Sequence, residues 1–309
     1  MVAGSVRAMA SDVTVHVPAC AEPAHDAVAA ALRVFGDVHR TCTRFDPESP
    51  LMRVNARPDR WHAVPPVLLS AVREAHRAYE RTRGRFDPRV LGDLERLGYD
   101  RSLGFGDGPV ATTGVSSVRP APGRWRPRVR GGDRPMLHLG GDRIDLGGIG
   151  KGLAVRWAGR RLAASIGTFL LDAGGDCLCR GPGAGTDGWR VGVEDPGGSD
   201  DPVAVLAVRD RAVATSSTRL RRWTAAGAPA HHLIDPRSGR PGGAGLTAVT
   251  VVAEDPADAE VTTKALFLLG ADGIGREAGR RSIAALWVGA DGSVSTSARM
   301  DRYVVWRAA

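Results

Sequence analysis

Hydrophobic and polar positions follow two different periods along this chain. Apolar residues recur at helical spacing in segments 24–41 and 65–82, so each segment would bury one face of a helix. Short apolar or alternating runs bounded by glycine, proline and charged residues are typical of strands. Such runs lie at 13–17, 169–172, 177–179, 189–193, 203–208, 212–214 and 247–253.

The second half of the sequence predicts strands in runs, separated by single helices. Helices are expected from the glycine turn at 147–152 to about residue 165, at 256–269 and at 271–282, and further strands at 283–288, 294–297 and 303–306. Segments 137–139 and 143–146 are expected to form a short hairpin. This arrangement predicts an α+β fold with mixed or antiparallel sheets rather than a doubly wound parallel sheet.

Length and charge bound the organisation and the partners of the chain. The 309 residues suffice for one domain, 1–309, with a sub-division near residue 136 and an Arg/Pro/Gly-rich insertion at 104–135. The net charge of +8 comes from arginines that are widely spread and mostly interleaved with acidic residues, without a nucleic-acid motif. We therefore expect no nucleic-acid partner.

Targeting signals and cysteine chemistry point to the cytoplasm. The apolar runs fall short of the roughly 20 residues that a membrane span needs, and residues 1–17 do not have the pattern of a secretory signal. The cysteines do not form a metal-binding framework, and we interpret them as free thiols of a reducing compartment. They are Cys20, Cys42, Cys177 and Cys179.

Lysine is confined to two positions. Of the 42 lysine and arginine residues, Lys151 and Lys264 are the lysines. Arginine replaces lysine on most surfaces but not where a compact ammonium on a flexible stem is required. Lys151 lies in the glycine turn that opens a predicted helix, and Lys264 lies within another predicted helix. Both are therefore candidate site residues, with chance survival as the alternative.

Three segments have the residue types of a functional site. Asp-Leu-Gly-Gly-Ile-Gly-Lys-Gly at 145–152 brings glycines, a helix start and a lysine together, which suits an anion, although a purely structural turn is the alternative. It is not a Walker A loop, because Gly152 stands where Ser or Thr is needed. Asp-Ala-Gly-Gly-Asp at 172–176 ends a strand. His232 with Asp235 in a Pro/Gly turn suggests a general base or a satisfied turn.

A further glycine pattern carries no such meaning. Gly-Ala-Gly-Thr-Asp-Gly at 183–188 matches a dinucleotide-binding fingerprint, but the segment after it is a predicted strand. A dinucleotide site would need a helix N-terminus at that place to face the pyrophosphate. We interpret the segment as a hairpin loop.

Taken in order, these segments resemble the ApbE-type FAD:protein FMN transferases. Further matching segments are Phe-Asp-Pro at 45–47 and 86–88, Leu-Gly-Tyr-Asp at 97–100, Ala-Thr-Ser-Ser at 214–217, His-Leu-Ile-Asp-Pro-Arg-Ser-Gly-Arg-Pro at 232–241 and Val-Thr-Val-Val-Ala at 249–253. The resemblance implies an α+β fold that binds FAD in a cleft. It also implies transfer of the FMN half of FAD onto a threonine or serine hydroxyl of a partner protein, with release of AMP and with Mg²⁺ on the pyrophosphate.

The resemblance also implies the roles of individual residues. The catalytic set is His232 as the base, Asp235 beside it, and Lys151. Residues implied to bind FAD are Met9, Asp87, Asp145, Gly148, Lys151, Gly174, Gly175, Asp176, Ser216, His232 and Lys264. The implied metal ligands are the Gly150 carbonyl and Glu260.

The sequence departs from the family pattern at the metal position. The family has an aspartate and, four residues later, a threonine at a helix start, and here Glu260 and Lys264 occupy those places. Asp258 and Thr262 have the same spacing, but that register displaces the following Leu-Phe-Leu-Leu-Gly. We hypothesise that the Lys264 ammonium, held by Glu260, partly replaces Mg²⁺. The alternative is an exposed i, i+4 ion pair of little energetic weight. Two alternatives stay open: an FAD-binding homologue without transferase activity, and an FAD pyrophosphatase that uses water.

Overall fold

The structure is a computed structural model that describes residues 1–18, 25–101, 123–185 and 187–308. The helices are α1 His25–Cys42, α2 Pro50–Asn55, α3 Pro66–Arg81, α4 Leu91–Arg96, α5 Gly150–Ala163, α6 Pro256–Phe267 and α7 Gly270–Arg280. The strands are β1 Val2–Ala8, β2 Ser11–His16, β3 His62–Ala63, β4 Arg128–Arg130, β5 Met136–His138, β6 Phe169–Ala173, β7 Asp176–Arg180, β8 Trp189–Val193, β9 Ala204–Val208, β10 Arg211–Ser217, β11 Arg222–Ala225, β12 Ala228–His231, β13 Ile234–Asp235, β14 Arg240–Pro241, β15 Leu246–Ala253, β16 Ala284–Gly289, β17 Val294–Thr296 and β18 Val304–Arg307. This confirms the predicted α+β class.

The chain forms two compact units, and both are discontinuous in sequence. The first comprises Met1–His39, Ile149–Ser217 and Ala244–Ala309, and the second comprises Arg40–Gly148 and Thr218–Gly243. The prediction of one domain with a sub-division near residue 136 stays a prediction. Of the predicted insertion at 104–135, residues 104–122 lie outside the described residues, and β4 lies in the remainder.

The first unit is built on an eight-stranded antiparallel sheet in the order β1-β2-β6-β7-β10-β15-β16-β17. Side chains along each strand alternate between its two faces. On one face α5 and α6 pack against the central strands, and Ala212 and Ala214 of β10 meet Ala259 of α6. Because these side chains are small, the α6 backbone lies close to the sheet. The first turns of α5 and α6 are therefore held above the central strands.

The other face of the large sheet carries the main apolar core of the first unit. Val213, which alternates with Ala212 and Ala214, points into this core together with Val252 and Leu286. A three-stranded antiparallel sheet, β18-β9-β8, covers it through Val191, Leu206 and neighbouring residues. The glycine segment between β7 and β8, described except for residue 186, is followed by a strand as predicted. The predicted hairpin is wrong, because β7 pairs with β6 and β10 while β8 pairs with β9 in another sheet.

The second unit contains helices α2, α3 and α4 and a small antiparallel sheet in the order β3-β5-β4. The apolar stripe of α3 is buried as its periodicity predicts, and Pro66 begins the helix while Gly84 follows its end with φ +76°. Trp125 is fully buried, and its Nε1 donates to the Leu139 carbonyl at 3.2 Å. Trp223 donates to the Leu97 carbonyl at 2.6 Å, which ties the hairpin of β11 and β12 to the chain after α4.

The predicted hairpin of segments 137–139 and 143–146 is wrong. Strand β5 pairs with β3 and β4, and residues 143–146 form no strand. The Asn55 side chain instead takes both backbone groups of Ile144: its Nδ2 donates to the carbonyl at 2.8 Å, and its Oδ1 accepts the N–H at 2.9 Å. A side-chain amide thus replaces the ladder that the alternation predicted.

Three of the four cysteines lie in the described part of the chain and are buried, free thiols: Cys42, Cys177 and Cys179. Burial raises the pKa of Cys42 and Cys179 to about 12, and it raises the pKa of Cys177 well above the ordinary value, so these thiols stay protonated. Cys20 lies outside the described residues. Across the described ranges, no helix combines the length and the apolar character that crossing a bilayer requires.

Candidate functional site

The first turn of α5 lies at the centre of a polar cluster in the first unit, which is formed by Lys151, Asp176, Glu260 and Lys264. Helix α5 begins at Gly150, and the first turn of α6 lies directly against it. A Cβ on Gly152 would be 2.6 Å from Ala257 Cα and 2.7 Å from the Pro256 carbonyl oxygen. Only glycine permits this approach without a backbone shift. It brings the Glu260 carboxylate of α6 to the Gly152 N–H, with Oε2 accepting at 2.8 Å.

We expect Gly152→Ala to lower the free energy of unfolding by about 1–3 kcal/mol, because the added methyl overlaps backbone atoms of α6 that cannot rotate away. Urea denaturation measures this change. Gly279→Ala is the matched control, since Gly279 is an exposed helical glycine in α7 with no atom within 4 Å of its Cβ position. The control should stabilise the protein by about 0.5–1 kcal/mol. Equal effects at the two positions would contradict the close packing at Gly152.

Lys151 forms an ion pair with Asp176 next to this turn. Its Nζ lies 2.5 Å from Asp176 Oδ2, and the two side chains are 17% and 4% exposed. Asp176 is the first residue of β7, and its Oδ1 also accepts the Thr215 N–H of β10 at 3.3 Å. The structure thus brings together two residues to which the family resemblance separately gave FAD-binding roles.

Lys264 is the partner of Glu260 one turn along α6. Its Nζ lies 3.2 Å from Glu260 Oε1 and 3.4 Å from the Glu260 carbonyl oxygen, and the side chains of Lys264 and Glu260 are 17% and 2% exposed. The i, i+4 spacing of the sequence is therefore a direct contact. Glu260 has one carboxylate oxygen on Gly152 N–H and the other on the ammonium.

Ser216 and Met9 lie in the same unit and extend this cluster. The Ser216 hydroxyl hydrogen-bonds that of Thr263 at 2.6 Å, and both residues are buried. Thr263 was not among the predicted site residues, although it stands three positions after Glu260 and its hydroxyl donates to the Glu260 carbonyl. The Met9 methyl lies 3.3 Å from the position of a Cβ on Gly150.

The glycines between β6 and β7 form a tight turn that places Asp176. Gly174 and Gly175 have φ values of +63° and +88°, which side-chain-bearing residues rarely adopt. A Cβ on Gly174 would lie 2.7 Å from the Ser11 hydroxyl oxygen, and the Gly175 N–H donates to Asp172 Oδ1 at 2.8 Å. The FAD-binding role predicted for these glycines stays a prediction.

His232 and Asp235 lie in the second unit, around the short hairpin of β13 and β14. The His232 Nδ1 and the Arg221 carbonyl oxygen are 3.4 Å apart. The Asp235 carboxylate receives its hydrogen bonds from the backbone and guanidinium of Arg237, at 2.9 to 3.1 Å. Partial burial raises the pKa of Asp235, but the Arg237 hydrogen bonds outweigh it and hold the pKa below its ordinary value. The predicted assistance of His232 by Asp235 stays a prediction.

Asp87 and Asp145 are each held by an arginine in the second unit. The buried Asp87 carboxylate accepts from Arg89 Nε and Nη2, the latter at 2.7 Å. Burial lowers the pKa of Arg89, but Asp87 and Asp142 outweigh it and hold that pKa above its ordinary value. Asp145 Oδ1 lies 3.8 Å from Arg44 Nε and accepts the N–H of Gly147, which Gly148 follows in the turn.

Arg44 is a residue that the sequence reasoning missed. It is buried with its guanidinium 4.2 Å from the ring centroid of Phe45 and 4.3 Å from that of Tyr99, and it donates to the Tyr99 carbonyl at 2.6 Å. Stacking on aromatic faces suits the planar guanidinium. Adjacent Arg and Phe in a predicted loop give a weak signal, because surface loops commonly contain both.

The residues around Glu260 do not fit a divalent cation. Both carboxylate oxygens accept a hydrogen bond, and a cation at Oε1 would compete with the Lys264 ammonium. The described residues contain no group of three or more His, Cys, Asp or Glu side chains that could hold a metal ion. In the alternative register, Asp258 Oδ1 lies 3.8 Å from Arg156 Nη2, and Thr262 lines a separate groove with Arg211 and Glu254.

Comparison with known proteins settles the family. The model of the ApbE family matches residues 9–287. The chain belongs to the ApbE family. The ApbE protein of Thermotoga maritima superposes with a TM-score of 0.77 at 25% identity, covering 96% of this chain and 97% of that one. The flavinyl transferase ApbE of Pseudomonas stutzeri superposes with a TM-score of 0.74 at 21% identity, covering 97% and 96%.

Curated sequence relatives of this ApbE-family chain carry the name FAD:protein FMN transferase. One from Treponema pallidum is 34% identical over 145 residues, which is 44% of this chain and 40% of the relative. One from Rhodobacter capsulatus is 28% identical over 289 residues, or 90% and 53% of the two chains. The chain spans 37% to 42% of the length of the relatives from Treponema pallidum, Salmonella typhimurium and Klebsiella pneumoniae.

Proposed function

We propose that this chain is an FAD:protein FMN transferase that moves FMN from FAD onto a threonine or serine hydroxyl of a partner protein. The observation that carries the proposal is the Lys151–Asp176 ion pair at the glycine-built start of α5, in a chain of the ApbE family. The names of the curated relatives support the same activity. FAD is thus a substrate, and the partner protein is the acceptor.

The reaction balances as a phosphoryl transfer. The acceptor hydroxyl oxygen forms a new bond to the phosphorus of the FMN half. The bond between that phosphorus and the bridging oxygen of the pyrophosphate breaks, AMP leaves with the bridging oxygen, and the hydroxyl proton goes to a base. Such a reaction depends on positioning and on stabilising negative charge at the phosphates.

Lys151 and the start of α5 are suited to stabilise that charge. The first turn of a helix presents unpaired N–H groups and the positive end of the helix dipole, both of which favour an anion. The Lys151 ammonium is fixed there by Asp176. We assign Lys151 to the leaving AMP phosphate, whose negative charge increases as the bond breaks.

His232 is the proposed base. A carbonyl oxygen only accepts hydrogen bonds, so the contact of Nδ1 with the Arg221 carbonyl favours the tautomer that carries its proton on Nδ1. The lone pair is then on Nε2, where a neutral imidazole accepts a proton from the acceptor hydroxyl. We assign Asp235 a structural role, in which it stabilises the hairpin of β13 and β14 that positions His232.

The cellular setting belongs to the same proposal. The buried free thiols of Cys42, Cys177 and Cys179 support a reducing compartment such as the cytoplasm. The acceptor protein there would carry a threonine or serine accessible to the enzyme. These assignments would be tested by locating the protein in fractionated cells.

Intact-mass analysis of an acceptor tests the function. The purified chain is incubated with FAD and a small FMN-acceptor domain, and we expect the acceptor to gain the mass of one FMN while AMP appears in equal amount. FAD that binds and stays intact would show a flavin-binding protein without transferase activity. Free FMN and AMP formed without acceptor would show a pyrophosphatase. Either of these results would reject the transferase.

A further inference from the structure

The ion pair with Glu260 fixes the Lys264 ammonium in the polar cluster that also contains Lys151 and Asp176. Lys264 is held at two points of Glu260, by the carboxylate at 3.2 Å and by the carbonyl oxygen at 3.4 Å. The Glu260 side chain is 2% exposed, so its charge has little water to stabilise it. The Lys264 ammonium is therefore held in place by Glu260 and is mostly shielded from solvent.

Lys264 and Lys151 belong to one connected cluster. Glu260 accepts the N–H of Gly152, which directly follows Lys151, and Lys151 pairs with Asp176. The cluster contains two ammonium groups and two carboxylates, so its charges balance. Both lysines of the chain are in this cluster, whereas arginine holds every other permanently cationic side-chain position. A compact ammonium is what the two positions share.

The charge balance of this cluster disfavours the binding of a divalent metal ion. A divalent ion bound to Glu260 would lie within about 5 Å of the Lys264 ammonium, where like charges repel strongly in a poorly hydrated site. It would also compete with Gly152 N–H or with Lys264 for the carboxylate oxygens. Loss of either contact from this buried carboxylate would be costly.

We infer that Lys264 takes the place of a divalent cation beside the pyrophosphate of FAD, so that FAD binding and FMN transfer need no Mg²⁺. The inference rests on the proposed function and concerns the same site. The Lys264 side chain would supply the positive charge that a metal ion bound with FAD would otherwise provide. Chelators that stop a metal-dependent transferase would then leave this one active.

Titration of the parent protein with FAD tests the inference without a mutation. Flavin fluorescence gives the dissociation constant in Mg²⁺ and in EDTA, and we expect the two values to agree within about twofold, well under the tenfold that one strong interaction would cause. Intact-mass analysis under the same two conditions should give similar transfer rates. A requirement for Mg²⁺ in binding or transfer overturns the inference while the proposed function stands.

The other outcomes separate the inference from the function. FAD binding that is indifferent to EDTA, without transfer to the acceptor, would reject the transferase and support the role of Lys264. Failure to bind FAD under either condition would overturn both proposals.

A double variant, Glu260→Asp with Lys264→Thr, tests the exchange of charge directly. It removes the ammonium and leaves a shorter buried carboxylate, so we expect FAD to bind at least about tenfold more tightly with Mg²⁺ than with EDTA. Thermal unfolding with and without Mg²⁺ shows whether the variant is folded and whether it gains a bound ion. Indifference to Mg²⁺ in a folded double variant would overturn the inference.

Arg280→Thr is the matched control for this variant. Arg280 pairs with Glu277 on α7 at 2.9 Å, which is also a pair of a basic and an acidic side chain on one helix face, but Arg280 is exposed. The substitution likewise exchanges a basic side chain for threonine. It should leave FAD binding insensitive to EDTA, as in the parent. A Mg²⁺ requirement in this control would show that lost surface charge alone causes the effect.

Discussion

Replacing His232 with alanine is expected to lower the rate of FMN transfer by about 10²–10⁴-fold while FAD binding is retained. The reason is that the acceptor hydroxyl is a weak nucleophile until a base removes its proton. In the proposed mechanism, the contact of His232 Nδ1 with the Arg221 carbonyl puts the imidazole lone pair on Nε2, and Nε2 would take that proton. Intact-mass time courses give the transfer rate, and flavin fluorescence gives the FAD affinity of the same preparations.

His231 provides a neighbouring control for this variant. Its Nδ1 accepts the Leu233 N–H at 3.2 Å, and burial lowers its pKa despite a hydrogen bond with the Gly242 backbone, which acts in the opposite direction. We assign it to the hairpin and not to the chemistry, so His231→Ala should keep most of the transfer rate. If His231→Ala loses transfer and His232→Ala retains it, His232 is not the base.

Most elements of the first unit were predictable because their signals are local, although β1 at Val2–Ala8 was not predicted. The alternation in 169–172 gives a strand with Phe169 and Leu171 buried, as β6 has them. The glycine turn at 147–152 opens a helix, and α5 begins within it, at Gly150. Each of these patterns depends on residues close together in the sequence, and hydrophobic periodicity predicts structure only over such short segments.

The wrong hairpin at 143–146 shows where local signals fail. Ile144 is bonded by the side chain of Asn55, which is 89 residues away in sequence. The alternation of Ile144 and Leu146 with polar residues predicts that one side of the segment is buried. Both apolar side chains are indeed buried. It does not report which partner takes the backbone hydrogen bonds. A side chain can replace a strand without changing the pattern of burial.

The sequence predicted candidate site residues, whose roles stay predictions, but it did not predict all of the pairings that the structure shows. The i, i+4 spacing of Glu260 and Lys264 predicted an ion pair, and the structure places the two atoms at 3.2 Å. The pairing of Lys151 with Asp176 could not be predicted, since it depends on α5 packing beside the start of β7. The sequence assigned both residues to FAD, and the structure adds that they contact each other.

Replacing Lys151 with methionine is expected to lower both the free energy of unfolding and the affinity for FAD. Without Lys151 the Asp176 carboxylate, 4% exposed, would be a buried charge without its counter-ion. Removing one member of a buried ion pair costs about 3–5 kcal/mol, and we expect the lower end because Lys151 keeps some exposure to water. Loss of the ammonium should weaken FAD binding by roughly 10- to 100-fold, the effect of one charged hydrogen bond.

A second substitution separates these two effects. Lys151→Met combined with Asp176→Asn removes both charges but keeps an oxygen for the Thr215 N–H. The double variant should regain most of the free energy of unfolding in urea denaturation, because no charge is left buried, and it should still bind FAD weakly. Arg7→Met is the surface control, since Arg7 and Asp12 are exposed, and it should leave both quantities near the parent values. If the double variant regains FAD affinity together with stability, the ammonium of Lys151 contributes only to the fold, and the charge at the phosphates must come from another group.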